Sequence, residues 1–190
     1  MKKLLLALDI GNVCVKIAPH CFAEKLGLAA LPETLYQLYR DFETGIIRSE
    51  DEFLRNCADF FHGSISEQEI KSAFNSILCE PVSGMADVVS EFEKMGVQAV
   101  FFSDISPTHL TRTEELFPAF DRVSGGIFSF ESGAQKPSAR MFDRFERLYG
   151  IPDLYVDDRL ELIEAAKKHG WNAIVFTSAE DLRKKLLSLS

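Results

Sequence analysis

Several short stretches of this chain are apolar without alternation, and each stops at polar residues. Leu4-Leu5-Leu6-Ala7-Leu8 ends at Asp9, and Val97-Gln98-Ala99-Val100-Phe101-Phe102 ends at Ser103-Asp104. Leu154-Tyr155-Val156 ends at Asp157-Asp158, and Ala173-Ile174-Val175-Phe176 ends at Thr177-Ser178. Unbroken apolarity over so few residues predicts strands covered on both faces, as in a parallel sheet between helices. A weaker fifth strand is predicted around 126–130. Between these runs the period changes to that of a helix. Met85, Val88, Val89 and Phe92 mark a helix over 84–95 that Gly96 closes. Met141, Phe142, Phe145 and Leu148 share one face of 138–149, and Leu162, Ile163 and Ala166 define 160–169, with Gly170 after it. Strand and helix in alternation predict an α/β fold with a doubly wound, mostly parallel, Rossmann-like sheet.

The stretch 15–83 breaks that alternation. Amphipathic helices are predicted over 22–26, 32–42, 49–61 and 66–78. Ser49-Glu50-Asp51-Glu52 and Ser66-Glu67-Gln68-Glu69 both match the capping-box pattern. The chain therefore divides into a Rossmann-like core, 1–14 and 84–190, and an inserted all-helical segment, 15–83. Its aromatic residues Phe22, Tyr36, Tyr39, Phe42, Phe60 and Phe61 are expected mostly in the core of the insert, with one or two facing a substrate.

Composition narrows the function classes. The 190 residues are 46% hydrophobic and 26% charged, ordinary for a globular chain, and suit one core plus a small insert. A formal net charge of -8 is repelled by a phosphate backbone or an anionic membrane, so nucleic-acid and membrane partners are not expected. Cys14, Cys21, Cys57 and Cys79 form no CxxC pair, which argues against structural zinc and for free thiols in a reducing compartment. Met1-Lys2-Lys3 and the run to Leu8 are too short for a signal peptide, and no stretch has the length of a membrane span. A cytoplasmic location is the default. The oligomeric state has no signal.

In an open parallel sheet, reactive groups gather beyond the carboxyl ends of the strands. Here those ends carry Asp9, Ser103-Asp104 and Asp157-Asp158, and Lys136 lies in Gly133-Ala134-Gln135-Lys136-Pro137 ahead of a helix. Separated carboxylates suit Mg²⁺, which takes oxygen ligands. A lysine neutralises phosphate and carboxylate charge, and a carboxylate can attack phosphorus.

These residues resemble the four motifs of the haloacid dehalogenase (HAD) superfamily. Asp9-Ile10-Gly11-Asn12-Val13 resembles the first motif and Phe101-Phe102-Ser103-Asp104 the second. Lys136-Pro137 with Phe142 resembles the third. Val156-Asp157-Asp158-Arg159, leading to Glu164-Ala165-Ala166 and Gly170-Trp171, resembles the fourth. The helical insert resembles the family's C1 cap. Phe42-Glu43-Thr44-Gly45 and Ser106-Pro107-Thr108-His109 are similar to the branch with an Asp-x-Gly-Asn-Val first motif, which includes glucose-1-phosphatase-like sugar phosphatases.

The resemblance implies an Mg²⁺-dependent phosphatase for a small phosphorylated metabolite. Asp9 is then the nucleophile and a metal ligand. The Gly11 carbonyl, Asp158 and Asp157 complete the protein's share of the metal shell. Ser103 and the amide of Asp104 hold phosphate oxygens, and Lys136 lies between nucleophile and phosphate.

One departure weakens the expectation. Gly11 stands where most of the family carries an Asp that protonates the leaving oxygen. His20, His109 and Lys16 are candidate replacements. Two other readings stay open: a HAD-fold binding or regulatory protein with little catalysis, and a 2-haloacid dehalogenase. Asp104, where Asn is common, is unfavourable beside phosphate unless it points away. Cys14 is expected to pack rather than react.

Overall fold

The structure is a computed structural model and describes residues 3–189. The chain forms β1 (Leu5–Leu8), β2 (Val15–Ile17), α1 (His20–Lys25), α2 (Glu33–Glu43), α3 (Glu50–Phe60), α4 (Glu67–Asn75), β3 (Leu78–Pro81), α5 (Met85–Lys94) and β4 (Gln98–Ser103). It continues through α6 (Pro107–Leu116), β5 (Gly126–Phe128), α7 (Ser129–Ser132), α8 (Ala139–Tyr149), β6 (Leu154–Asp157), α9 (Leu160–His169), β7 (Ala173–Val175) and α10 (Ala179–Leu187).

Five strands pair in parallel in the order β5-β4-β1-β6-β7. The chain winds outward from β1 in one direction and then in the other, so the expected doubly wound sheet is present. Alternate residues of each strand enter different cores. Leu6, Leu8, Ala99, Phe101, Leu154 and Val156 pack against Met85, Val88, Val89 and Phe92 of α5 and Leu182 and Leu186 of α10. Leu5, Ala7, Val100, Phe102 and Tyr155 pack against Met141, Phe142 and Phe145 of α8 and Ile163 and Ala166 of α9. Both faces are covered, which is why the strands read as unbroken apolar runs.

The helices α1 to α4 bury a third core of their own, with Phe42 stacked on Phe53 at 4.7 Å and Phe74 near its centre. This segment is not wholly helical, contrary to expectation. β2 and β3 form an antiparallel ribbon at its base, and the helix expected to reach residue 78 ends at Asn75. Strands of three and four residues, partly exposed, are too short for their period to show. Ser66 and Glu69 make the full reciprocal capping box. At Ser49 only half of it forms: its hydroxyl accepts from the Glu52 amide, and Glu52 turns to the amide of Arg48.

Three helices had no sequence expectation, α6, α7 and α10, and α7 takes Ser129 and Phe130 from the strand expected over 126–130, which ends at Phe128. α6 starts at Ser106, whose hydroxyl accepts from the His109 amide, with Pro107 in the first turn. Its buried residues include His109 and Thr113, so its apolar period is faint. Leu148, expected inside, is exposed on the margin of α8. No helix of the described residues is long and apolar enough to cross a membrane.

Candidate active site

The sheet register brings the polar strand ends together. Leu8 of β1 sits beside Phe101 of β4 and Val156 of β6, so Asp9, Ser103-Asp104 and Asp157-Asp158 leave the sheet at one edge. The Asp9 amide donates to the Val156 carbonyl at 3.0 Å, which fixes the exit of β1.

Lys136 reaches this edge from the loop between α7 and α8. Its buried Nζ donates to Asp9 Oδ1 at 2.9 Å, Asp157 Oδ2 at 2.7 Å and the Phe102 carbonyl at 3.0 Å, with Tyr155 Oη at 3.3 Å. Burial alone lowers the pKa of an ammonium group. Here the charges of Asp9 and Asp157 outweigh it and hold Lys136 well above its ordinary value. The lysine is a fixed cation.

The two carboxylates that share it differ. Asp157 is driven up by burial, but Lys136, the Tyr155 hydroxyl and the Arg159 amide (2.9 Å) bring it below its usual value. Asp9 has fewer donors. Burial pushes it to about 7 against the pull of Lys136, and the Asp157 charge adds to the rise. Asp157 thus holds its charge and anchors the lysine, while Asp9 is the less satisfied partner.

Asp9, Asp157 and Asp158 each offer a carboxylate oxygen within 4.8 Å of the others. An all-oxygen set of this kind fits Mg²⁺. Within it, both Asp157 oxygens already accept hydrogen bonds, whereas Asp9 and Asp158 line the adjoining cavity. Asn12 orients Asp158. Its Nδ2 donates to Asp158 Oδ2 at 2.8 Å, and its Oδ1 accepts from the Ile17 amide at 3.1 Å. The left-handed backbone of Asn12 (φ 53°) turns the chain after Gly11. Ser103 is buried beside Asp9, and its hydroxyl supports that carboxylate. Asp104 Oδ1 accepts from the Lys136 amide at 2.9 Å, which pins the lysine loop.

A cavity of about 540 Å³ opens over these groups. Asp9, Gly11, Asp104, Lys136, Asp158 and Arg159 line one side, and Tyr36, Tyr39, Arg40 and Glu43 of α2 line the other, with Gln135 at the join. A Cβ at Gly11 would meet Ile17 Cδ1 at 3.2 Å and Asp9 Oδ2 at 3.9 Å. Glu43 is almost fully buried. Its Oε1 accepts from the Tyr39 hydroxyl at 2.7 Å and its Oε2 from Gln135 Nε2 at 2.9 Å. Burial raises Glu43 to about 7 despite those donors.

All sequence-predicted site residues, Asp9, Gly11, Ser103, Asp104, Lys136, Asp157 and Asp158, collect at this edge. The candidate proton donors do not. Lys16 pairs with Glu80 on the surface, His20 is exposed, and His109 is buried against Phe74, with their rings 4.0 Å apart. None of the three lines the cavity. Cys14 packs under the site, its thiol donating to the Asp9 carbonyl and pushed above its usual pKa by burial. Tyr155 and Arg40 carried no signal of a role, and Asn12 and Gln135 appeared only as members of motifs. Glu43 appeared only within a motif.

A parallel doubly wound sheet with a mainly helical unit between its first and second core strands is the fold of HAD family enzymes. A HAD family enzyme from Bacteroides thetaiotaomicron is 19% identical with a TM-score of 0.82, over 95% of this chain and 97% of that one. A structure of that enzyme in complex with magnesium and inorganic phosphate gives 18%, 0.79, 93% and 96%. A predicted HAD-like family hydrolase from Porphyromonas gingivalis is 19% identical, with a TM-score of 0.80, over 98% and 97%. L-2-haloacid dehalogenase from Xanthobacter autotrophicus is 14% identical, with a TM-score of 0.61, over 98% and 83%. No protein-family model and no curated protein sequence matches the chain.

Proposed function

We propose that this protein is an Mg²⁺-dependent phosphatase that hydrolyses a small phosphorylated metabolite: Asp9 is the nucleophile, and the 15–83 unit is a cap over it. The observation that carries the reading is the gathering of Asp9, Asp157 and Asp158 within 4.8 Å, with Lys136 bonded to two of them. The magnesium and phosphate bound by the Bacteroides enzyme of like fold support it.

Asp9, Asp158 and the Gly11 carbonyl would hold the ion, with Asp157 fixing Lys136 behind them. Bound there, Mg²⁺ offsets the negative charge of the phosphoryl group and favours the charged form of Asp9. Asp9 then attacks phosphorus, the leaving oxygen departs, and water hydrolyses the aspartyl-phosphate. Lys136 eases the repulsion between two anions that must meet. Ser103 and the Asp104 amide hold the phosphoryl oxygens. A dehalogenase has no need of a carboxylate cluster for a cation, so the donor set favours the phosphatase.

The test is a screen of phosphate monoesters with purified protein and Mg²⁺. Wild type is expected to release phosphate. Asp9→Asn is expected to release none while its circular dichroism stays native. Tight phosphate binding without turnover of any ester would instead favour a binding or regulatory protein, the reading that Gly11 motivates.

A further inference from the structure

The phosphatase reading leaves one proton without a source. A departing alkoxide needs it, and position 11 has no side chain. A Cβ at Gly11 would meet Ile17 at 3.2 and 3.8 Å and Asp9 Oδ2 at 3.9 Å, so the nucleophile itself is the acid nearest that position and no second one stands beside it. Four carboxyl groups line the cavity: Asp9, Asp104, Asp158 and Glu43. Asp9 and Asp158 belong to the cation cluster, and Asp104 is tied to the Lys136 amide. Glu43 remains, on the wall that α2 contributes.

We propose that the Glu43–Tyr39 pair of α2 supplies the proton that the leaving oxygen requires and that Gly11 cannot give; the proposal rests on the phosphatase reading. The geometry suits a relay. Gln135 Nε2 holds Glu43 Oε2, and Arg40 donates to Gln135 Oε1 at 3.2 Å, which fixes the orientation of that amide. Glu43 Oε1 is therefore the oxygen free to carry a proton, and it faces the Tyr39 hydroxyl. When Oε1 is protonated it donates to Tyr39 Oη, and the Tyr39 hydrogen turns into the cavity that both residues line.

The groups that face Glu43 agree with this role. Tyr39 and Arg40 come from its own helix, Asp104 from the end of β4 and Gln135 from the Lys136 loop. Ser129 of α7 donates to the Glu43 carbonyl, not to its carboxyl group. Both carboxyl oxygens take neutral donors, and burial with the Asp104 charge raises the group, so Glu43 exchanges a proton near neutral pH. Tyr39 itself is held well above its ordinary pKa by burial and by Glu43, so it passes a proton on without ionising.

The steps balance. An Asp9 oxygen bonds to phosphorus as the bond from phosphorus to the leaving oxygen breaks. The Tyr39 proton goes to the leaving oxygen and the Glu43 proton goes to Tyr39, leaving a neutral alcohol and a Glu43 carboxylate. Water then bonds to phosphorus as the phosphorus–Asp9 bond breaks, and its proton returns through Tyr39 to Glu43. The sum is ester plus water to alcohol plus inorganic phosphate.

The experiment compares kcat/KM on monoesters graded in leaving-group acidity, from dinitrophenyl phosphate to alkyl phosphates, with Mg²⁺ present. Glu43→Gln and Tyr39→Phe are expected to lose about 10²-fold or more on alkyl esters and less than about threefold on the dinitrophenyl ester, which needs no proton. The fall of wild-type alkyl-ester kcat/KM above about pH 7 should vanish in Glu43→Gln. Equal losses across the series, or no loss, would overturn the proposal. Should Glu43→Gln fail to fold, Tyr39→Phe carries the same comparison. The two readings fail differently: a wild type inert even on the dinitrophenyl ester sinks the phosphatase, whereas an active one with unchanged leaving-group dependence in the variants sinks only the relay.

Discussion

At the scale of single residues, the site is built around one buried cation. Lys136 Nζ meets two carboxylates, a phenol and a carbonyl, and its own amide is held by Asp104. Replacing it with Met keeps most of the volume and leaves Asp9 and Asp157 facing each other without a counter-charge. Removing one partner from a buried pair typically costs about 3–5 kcal/mol. Lys136→Met should therefore lower the unfolding free energy measured in urea by that order and abolish phosphate release. It should recover part of the lost stability in mild acid, where the two carboxyl groups become neutral. An unchanged midpoint at neutral pH would show that the carboxylates do not depend on the lysine.

At the scale of elements, the seam between the helical unit and the sheet sets the shape of the cavity. α2 ends at Glu43, and Gly45 (φ 72°) turns the chain where it touches α7. A Cβ on Gly45 would lie 2.1 Å from the Phe130 carbonyl oxygen, backbone that cannot yield without moving α7. Gly45→Ala therefore combines left-handed strain with a clash, and a loss of about 1–3 kcal/mol or more is expected from differential scanning calorimetry. Activity should fall beyond what the residual folded fraction explains, because α2 also carries Tyr39 and Glu43. The elements show why some features were legible in the sequence and others were not. β1, β4, β6 and α5 are buried over continuous stretches or one full stripe, so burial writes itself into residue type. The ribbon of β2 and β3 and the helix α6 bury little or bury polar groups such as His109 and Thr113, so the same logic leaves no trace. The floor of the site was legible because strand ends carry it. Its far wall was not, because Glu43, Arg40 and Gln135 meet across gaps of 95 and 92 residues that no local pattern records.

At the scale of the whole molecule, the two units are joined by apolar packing of Val15, Ile17 and Leu78, by polar contacts and by a ring stack. Thr108 of α6 donates to Glu50 of α3 at 2.9 Å, and the His109 ring stacks on Phe74 with its Nε2 at 3.1 Å from the Phe74 carbonyl. Burial lowers His109 from 6.5 to about 4, against the help of that carbonyl. The unfolded chain thus binds this proton at a higher pH than the folded one. Its contribution is fully present above about pH 6.5, and it is lost as pH falls from there to about 4, by about 3 kcal/mol in all. Asp9 and Glu43 act with the opposite sign. Their folded values are raised, so in metal-free protein acidification through about 7 relieves the cost of their charge. The wild-type profile is consequently a sum of opposed slopes, and only a difference isolates the histidine. His109→Phe keeps a ring against Phe74 and removes the titration. Urea unfolding of both proteins from pH 7 to 4 should show the gap in stability moving in favour of the variant by about 3 kcal/mol. A gap that stays constant would mean that water reaches the ring at the seam, and that the helical unit is less tightly seated than its contacts indicate.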